Sequence, residues 1–251
     1  MKIVVIGGSG LIGSKVVQIF RNWEHEVVSA SPLTGVDIVS GEGLADVLIN
    51  ADIVVDLANP PLFDEVGVTK FFKRASENLL SEEIYAGVRH HVCLSVVGLE
   101  DMQHIEYMRA KKMQEEMVYD SGLPYTIVRS TQFMEFIKGI ADSATVGEEV
   151  HLSEISFQPI AADDVAEFLV EYALDGPLNR IVQIAGPTRY SICETVKKYL
   201  KTVGDARRAF PTGKPVFLGG WVNRDTLVPS GKVRLGNLAF ENWIERRKIR
   251  V

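Results

Sequence analysis

Short apolar runs alternate with longer amphipathic segments over the first half of the chain, and this alternation predicts its secondary structure. The runs are rich in Val and Ile, which is typical of buried strands. Five strands are predicted, at residues 2–6, 26–30, 52–58, 91–97 and 125–129. Four helices are predicted between them, at residues 11–22, 44–49, 63–86 and 105–121. Strands that are apolar on both faces and separated by helices indicate a doubly wound α/β fold with a parallel sheet.

The alternation loosens after residue 129. Helices are predicted over residues 133–142, 191–203 and about 240–246, and a further helix starts with Asp163-Asp164 as its N-terminal cap and ends near Leu174. A strand is predicted at residues 180–186, with shorter β-like pieces near 150–152 and 157–161. Because no linker or repeat interrupts the chain, we expect one domain over residues 1–251, to which 131–156 and 187–251 contribute a smaller C-terminal lobe.

Composition narrows the range of partners. Hydrophobic residues make up 46% of the chain, charged residues 24%, and the net charge is −6, which argues against disorder and against a nucleic-acid-binding surface. Cys93 and Cys193 match neither a disulfide framework nor a metal-ligand spacing, and Cys93 is expected to be buried. No signal-peptide pattern and no membrane-spanning apolar run occur, so we expect a soluble cytoplasmic protein without membrane partners.

Three glycines lie between the first predicted strand and the first helix, in the stretch VVIGGSGLIGSKVV. Gly7 permits a tight turn, Gly10 lets a pyrophosphate approach the backbone, and Gly13 allows the helix to pack closely on the strand. The helix N-terminus behind them offers N–H groups to an anion. This position favours dinucleotide binding by a Rossmann-type fold, although the GxxGxxG spacing differs from the common GxGxxG pattern.

The second predicted strand ends without the acidic residue that selects NAD in many such domains. The segment there reads Ser-Ala-Ser-Pro-Leu-Thr, and hydroxyl groups such as that of Ser31 accept either a ribose or its 2′-phosphate. NADP(H) is therefore slightly favoured as cofactor, and NAD(H) stays open. Asp37 and Glu42 lie nearby and either contact adenosine or are solvated loop acids.

Tyr107 and Lys111 lie four residues apart in a predicted helix, so their side chains share one face. A cation beside a phenol stabilises the phenolate, which predicts a lowered pKa for Tyr107 and easier proton transfer near neutral pH. Ser95 lies at the carboxyl end of the fourth predicted strand, where open α/β sheets bind their ligands. The alternative is an exposed helix face on which Lys111 pairs with Glu115.

With these features the chain resembles the atypical, NmrA-like branch of the short-chain dehydrogenase/reductase superfamily, whose members bind NAD(P). The stretches that carry the resemblance are VVIGGSGLIGSKVV, LSVVG, YMRAK, GLPYTIVRSTQFMEF and QPIAADDVAEFL, and it covers roughly residues 1–185. One departure is the segment DLANPP, which replaces the Asn-Asn-Ala-Gly stretch of the standard dehydrogenases.

The resemblance implies a set of site residues. Those implied to bind the cofactor are Gly7, Gly10, Leu11, Ile12, Gly13, Leu57, Ala58, Asn59 and Lys111, in addition to Ser31. Ser95, Tyr107 and Lys111 match the catalytic trio of the superfamily in order and type. Gln132, Phe133 and Phe136 belong to a segment that resembles the substrate-side loop of the branch. The two phenylalanines either cover nicotinamide or an apolar substrate, or pack within a helix. We expect the lobe formed by 131–156 and 187–251 to lie on the substrate side.

No metal is expected, because none of the five histidines has metal-ligand spacing with acidic partners on a helix. His90 and His91 are interpreted as a loop end before the fourth strand.

The leading interpretation is an NAD(P)H-dependent oxidoreductase that acts on a small carbonyl or quinone. Tyr107 would transfer a proton, Lys111 would support it, and Ser95 would orient the substrate oxygen. One alternative is a non-catalytic redox sensor that binds NAD(P) and controls a partner protein. A second is a nucleotide-sugar epimerase or dehydratase, which the short chain disfavours. Apolar helix faces leave open whether the chain forms a homodimer.

Overall fold

A computed structural model describes residues 1–60 and 65–248. The strands are β1 Lys2–Ile6, β2 Glu26–Ala30, β3 Ile53–Asp56, β4 His90–Val96, β5 Tyr125–Ser130, β6 Thr145–Val146, β7 Glu149–Leu152, β8 Ser156–Phe157, β9 Arg180–Ala185, β10 Tyr190–Ser191, β11 Arg208–Pro211, β12 Val216–Phe217, β13 Gly220–Trp221 and β14 Arg234–Leu235. The helices are α1 Gly13–Asn22, α2 Leu44–Leu48, α3 Glu65–Ala86, α4 Glu106–Asp120, α5 Ile137–Ser143, α6 Ala162–Leu174, α7 Ile192–Val203 and α8 Phe240–Lys248. Short 3₁₀ helices cover Pro32–Thr34, Leu99–Met102 and Met134–Phe136.

The main sheet has seven strands in the order β14-β9-β5-β4-β3-β1-β2, and β1 pairs in parallel with both β2 and β3. Crossover helices connect these strands, so the predicted doubly wound α/β fold with a parallel sheet is confirmed. All four residues of β3 are buried, as are four of the five residues of β1. Burial on both faces explains why all but one residue of each of these strands is apolar.

Several predicted boundaries were wrong. Helix α6 begins at Ala162, so Asp163 and Asp164 lie in its first turn and are not its N-terminal cap. The predicted helix over 133–142 starts as the 3₁₀ helix Met134–Phe136 before α5. The predicted start of the third helix, residues 63–64, lies outside the described residues.

His90 and His91 are the first residues of β4 and both are buried, so their interpretation as a loop end was wrong. Both nitrogens of His90 have partners, because Nδ1 lies 3.2 Å from the Ala173 carbonyl oxygen and Nε2 lies 2.9 Å from Thr126 Oγ1. Cys93 is fully buried, as expected, and packs with Leu80, Val118 and other apolar side chains.

The chain forms two compact units. The first comprises Met1–Ser95, Glu106–Arg129 and Val165–Val182, and the second comprises Val96–Ile105, Ser130–Asp164 and Gln183–Val251. The second unit contains the smaller sheet β11-β7-β6 and a partly buried contact in which the Trp243 indole donates a 3.0 Å hydrogen bond to Glu135. None of the helices in the described ranges is long and apolar enough to cross a membrane.

Candidate active site

The turn between β1 and α1 brings the backbone of Gly7 against the end of β3. Gly7 has a φ of 71°, and its N–H donates a 2.9 Å hydrogen bond to the Ala30 carbonyl oxygen. A Cβ at Gly7 would lie 2.6 Å from the carbonyl oxygen of Leu57. The backbone conformation and the close approach therefore both require glycine here, which agrees with the tight turn that the sequence predicts.

Gly13 is the first residue of α1, and a Cβ there would lie 2.2 Å from the Gly7 carbonyl oxygen. The close packing expected of the third glycine is thus present. Gly8 has a similar constraint that the sequence did not reveal, because its Cβ would lie 2.5 Å from Ser29 Oγ. Within the described residues, no side chain caps α1 and no acidic residue occupies its first turn. The helix N-terminus is therefore available to an anion such as a phosphate.

Residues 57–59 leave β3 beside this turn, and their contact with a cofactor stays a prediction. The Leu57 N–H donates to the Ile6 carbonyl oxygen at 3.1 Å, and the Ala58 N–H donates to Asp56 Oδ1 at 2.9 Å. Asn59 is exposed, and its Oδ1 accepts a 3.1 Å hydrogen bond from the Tyr107 hydroxyl. The segment therefore joins the glycine turn to α4.

Ser31 directly follows β2 and is buried, and its Oγ has no hydrogen-bond partner among the residues that the structure describes. The carboxylate of Asp37 accepts hydrogen bonds from the N–H groups of Val39 at 2.8 Å and Ser40 at 3.4 Å. Asp37 therefore stabilises its own loop. At the end of β2, the Ser31 hydroxyl is left for a polar ligand.

Tyr107 lies in the first turn of α4, and its ring packs edge-on against Phe72 with 5.8 Å between the ring centres. Burial raises the pKa of Tyr107 above its ordinary value of 10.0, and the nearby Lys111 ammonium lowers it by less. The expected net lowering of this pKa was therefore wrong, because burial outweighs the cation. The phenol is protonated at neutral pH and can donate a proton.

Lys111 lies one turn further along α4 and is only 3% exposed. Its Nζ donates a 2.7 Å hydrogen bond to the Leu94 carbonyl oxygen and another to Gln114 Oε1, and it lies 4.9 Å from the centre of the Phe72 ring. An ammonium group has three N–H donors, and bonds to described residues use two of them. The third is left for a ligand oxygen.

The alternative of an exposed Lys111 paired with Glu115 was wrong. Glu115 is itself buried and forms a bidentate ion pair with Arg129, at 2.9 Å from Nε and 2.6 Å from Nη2. This pair satisfies the Glu115 carboxylate.

Ser95 lies near the carboxyl end of β4 and is 3% exposed. Its Oγ has no hydrogen-bond partner within the described part of the chain. A buried hydroxyl without a partner costs free energy, which a ligand oxygen would recover. The Leu94 carbonyl that binds Lys111 forms the peptide bond to Ser95. The structure therefore brings Ser95, Tyr107 and Lys111 into one region of the first unit.

Two buried residues that the sequence analysis missed extend this arrangement. Gln114 Nε2 donates a 2.7 Å hydrogen bond to Asp56 Oδ2, while Gln114 Oε1 accepts from Lys111. The Asp56 carboxylate thus holds the amide of Gln114 in the orientation that binds Lys111. The signals were available, because Gln114 lies three residues after Lys111 on one helix face and Asp56 directly precedes the predicted cofactor segment.

Gln132, Phe133 and Phe136 lie in the second unit. The Gln132 carbonyl oxygen accepts a 3.0 Å hydrogen bond from the Ile160 N–H, which anchors the segment. The rings of Phe133 and Phe136 lie 5.4 Å apart, and Phe136 is 49% exposed. Phe136 is therefore not a core residue, and the substrate-side role of all three residues stays a prediction.

Comparison with known proteins identifies a matching family and relatives in sequence. A family model described as NAD(P)H-binding matches residues 7–176. The photosystem II assembly factor Ycf39 of Synechocystis sp. is 22% identical over 228 residues, which cover 83% of this chain and 69% of that protein. The chloroplastic divinyl chlorophyllide a 8-vinyl-reductase of Cucumis sativus is 25% identical over 170 residues, which cover 64% of this chain and 40% of the reductase.

Among solved structures, the UDP-N-acetylglucosamine 4-epimerase of Bacillus cereus has the same fold, with a TM-score of 0.73 and 17% sequence identity. The match covers 100% of this chain and 96% of the epimerase.

Proposed function

We propose that this chain, which belongs to the NAD(P)H-binding family whose model matches residues 7–176, is an NAD(P)H-dependent reductase of a small carbonyl or quinone. The observation that carries this proposal is the set of three polar groups in the first unit. These are the protonated hydroxyl of Tyr107, the remaining donor of Lys111 and the unpartnered Oγ of Ser95.

The glycine turn fits a dinucleotide. Side chains at Gly7 and Gly13 would collide with neighbouring backbone, so the turn can form only with glycine at these positions. The start of α1 has no side-chain cap and suits the pyrophosphate. Gly10, Leu11 and Ile12 would present their backbone to it. The segment 57–59 would lie along the cofactor beside Gly7. The nicotinamide would supply the hydride for the reduction.

NADP(H) is the preferred cofactor in this proposal. The Ser31 hydroxyl is buried without a partner, and the nearby Asp37 carboxylate already binds backbone N–H groups. A hydroxyl accommodates a 2′-phosphate, whereas a carboxylate aimed at the ribose would repel it.

Each residue of the trio has a separate role. Tyr107 would donate its proton to the substrate oxygen as negative charge develops there, while Asn59 holds the phenol in place. Lys111 would give its third N–H to a ribose hydroxyl and stabilise the phenolate that forms. Ser95 Oγ would bind the substrate oxygen and keep it within reach of Tyr107.

Titration of the purified chain with NADPH and NADH by calorimetry, followed by turnover assays with aldehydes, ketones and quinones, tests the proposal. We expect binding of both cofactors, tighter binding of NADPH, and turnover of at least one substrate class. Absence of nicotinamide-nucleotide binding would contradict the cofactor assignment.

A second candidate function is a non-catalytic NAD(P)H-binding regulator or assembly protein. The observation that favours it is the similarity over 83% of the chain to a protein named as an assembly factor. Tight NADPH binding without turnover of any substrate, unchanged by Tyr107→Phe, would support this candidate over the reductase.

A further inference from the structure

Three side chains that can bind metals meet where β3 pairs with β4. Asp56 is the register partner of Cys93, and His91 lies two residues before Cys93 on the same face of the strand. One ligand atom from each residue lies within 4.8 Å of those of the other two. None of the three residues is more than 3% exposed. The cluster could not be predicted from residue spacing, because its members come from two separate strands.

His91 has one ring nitrogen left for a ligand. Its Nδ1 lies 2.9 Å from both carboxylate oxygens of Glu83, whereas its buried Nε2 has no partner among the described residues other than the Cys93 thiol. A carboxylate on one ring nitrogen is the arrangement that orients a metal-bound histidine and fixes its tautomer. Glu83 would have that role here.

We propose that Asp56, His91 and Cys93 bind a divalent cation of the zinc type, and that Glu83 positions His91. Imidazole, thiolate and carboxylate are all zinc ligands, and three protein ligands leave a fourth tetrahedral position for water. The nitrogen and sulfur ligands disfavour Mg²⁺ and Ca²⁺, which prefer oxygen. Zinc–ligand bonds of about 2.0–2.3 Å require ligand atoms roughly 3.5 Å apart, so metal binding would draw the three side chains together from their present separation.

The buried charges agree with a cation at this position. The carboxylates of Asp56 and Glu83 are both buried, and Gln114 links Asp56 to the Lys111 ammonium. Buried carboxylates require nearby positive charge. A divalent cation together with the Cys93 thiolate would supply one net positive charge between them. A proton on His91 is the competing source of positive charge, and the metal content of the chain distinguishes the two.

The test is the metal content of the full chain, expressed with zinc in the medium, then dialysed and measured by mass spectrometry. We expect about one zinc per chain. Loading with Co²⁺ in place of Zn²⁺ should give the charge-transfer absorption of a cobalt–thiolate bond together with intense tetrahedral visible bands. Removal of the metal by a chelator should lower the melting temperature of the unmodified chain reversibly.

Matched variants identify the ligands. Cys93→Ser should abolish the charge-transfer band, and His91→Gln should reduce the bound zinc at least tenfold. The controls are Cys193→Ser, which changes the other buried cysteine, and His90→Gln, which changes a buried histidine whose ring nitrogens both have partners. Both controls should keep the metal.

The proposal is overturned if the unmodified chain binds neither zinc nor cobalt, or if Cys93→Ser keeps the full charge-transfer band. The measurements on the unmodified chain decide the question even if a ligand variant fails to fold. They do not depend on turnover or on NADPH binding, so they can fail or succeed independently of the proposed reductase function.

Discussion

The ammonium group of Lys111 donates a 2.7 Å hydrogen bond to the main-chain carbonyl oxygen of Leu94. This bond ties α4 to the carboxyl end of β4, immediately before Ser95. Gln114 binds the same ammonium, so the position of Lys111 depends on backbone and side-chain groups from two elements. Lys111 therefore has a structural role in addition to its proposed role in the reaction.

Replacement of Lys111 by methionine should lower the free energy of unfolding by about 1–3 kcal/mol, because the Leu94 and Gln114 oxygens lose their donor inside the protein. Denaturant unfolding measures this change. Lys112→Met is the matched control, since Lys112 is the next residue of α4 and is only partly buried, and we expect it to change stability by less than about 0.5 kcal/mol. Equal effects of the two variants would contradict the structural role of Lys111.

Replacement of Gly10 and replacement of Gly13 should have different effects, the first mainly on cofactor binding and the second mainly on stability. A Cβ at Gly10 would meet only the Gly7 carbonyl oxygen, at 3.2 Å, whereas a Cβ at Gly13 would overlap that oxygen at 2.2 Å. Gly13→Ala should therefore cost about 1–3 kcal/mol of stability through overpacking.

Gly10→Ala should lower the melting temperature by less than Gly13→Ala does, and it should weaken NADPH binding about tenfold or more, because a methyl group would stand where the pyrophosphate approaches. Calorimetry and thermal unfolding of both variants provide the measurement. If Gly10→Ala bound NADPH as tightly as the unmodified chain, the turn would not be the pyrophosphate site.

The effects of replacing Glu115 and Arg129 on the free energy of unfolding should be strongly coupled, because the two side chains form a buried ion pair. Arg129→Met leaves a carboxylate with 6% exposure without its partner and should cost about 3–5 kcal/mol. The double variant with Glu115→Met should recover much of that loss, because no buried charge is left. A double-mutant cycle measured by chemical unfolding tests this coupling, and simple addition of the two single effects would refute it.

Much of the fold could be predicted from the sequence because its strands are apolar on both faces. The boundaries of β1 and β2 agree with the predicted ones residue for residue, since turns of polar residues and glycine delimit each run. The role of Gly13 also followed from spacing alone, because the close approach of helix and strand is local in sequence.

The environment of the site could not be predicted in the same way. Lys111 is buried because Phe72 of α3 covers it and Asp56 of β3 orients its partner Gln114, and these contacts join distant segments. The direction of the Tyr107 pKa shift depended on the same packing. A helix-face argument gave the attraction of Lys111 for a phenolate correctly, but it contained no information on burial.

The raised pKa of Tyr107 predicts that its phenol loses its proton only at high pH. Its folded pKa lies above 10.0, so the phenol should ionise only above pH 10, and the Lys111→Met variant should ionise at still higher pH because the cation that lowers the pKa is gone. Ultraviolet titration of the phenolate band, with the Tyr107→Phe spectrum subtracted, measures both values. A Tyr107 step below pH 10, or a downward shift in Lys111→Met, would contradict this assignment.

The rate of NADPH oxidation in Tyr107→Phe tests the central claim most directly. Tyr85→Phe is the matched control, because Tyr85 is 91% exposed on α3. With the best substrate of the carbonyl and quinone panel and saturating NADPH, kcat should fall about 100-fold or more in Tyr107→Phe. NADPH affinity and melting temperature should stay unchanged, and Tyr85→Phe should retain full activity. Turnover by Tyr107→Phe at the rate of the unmodified chain would contradict proton donation by Tyr107 and with it the proposed reductase mechanism.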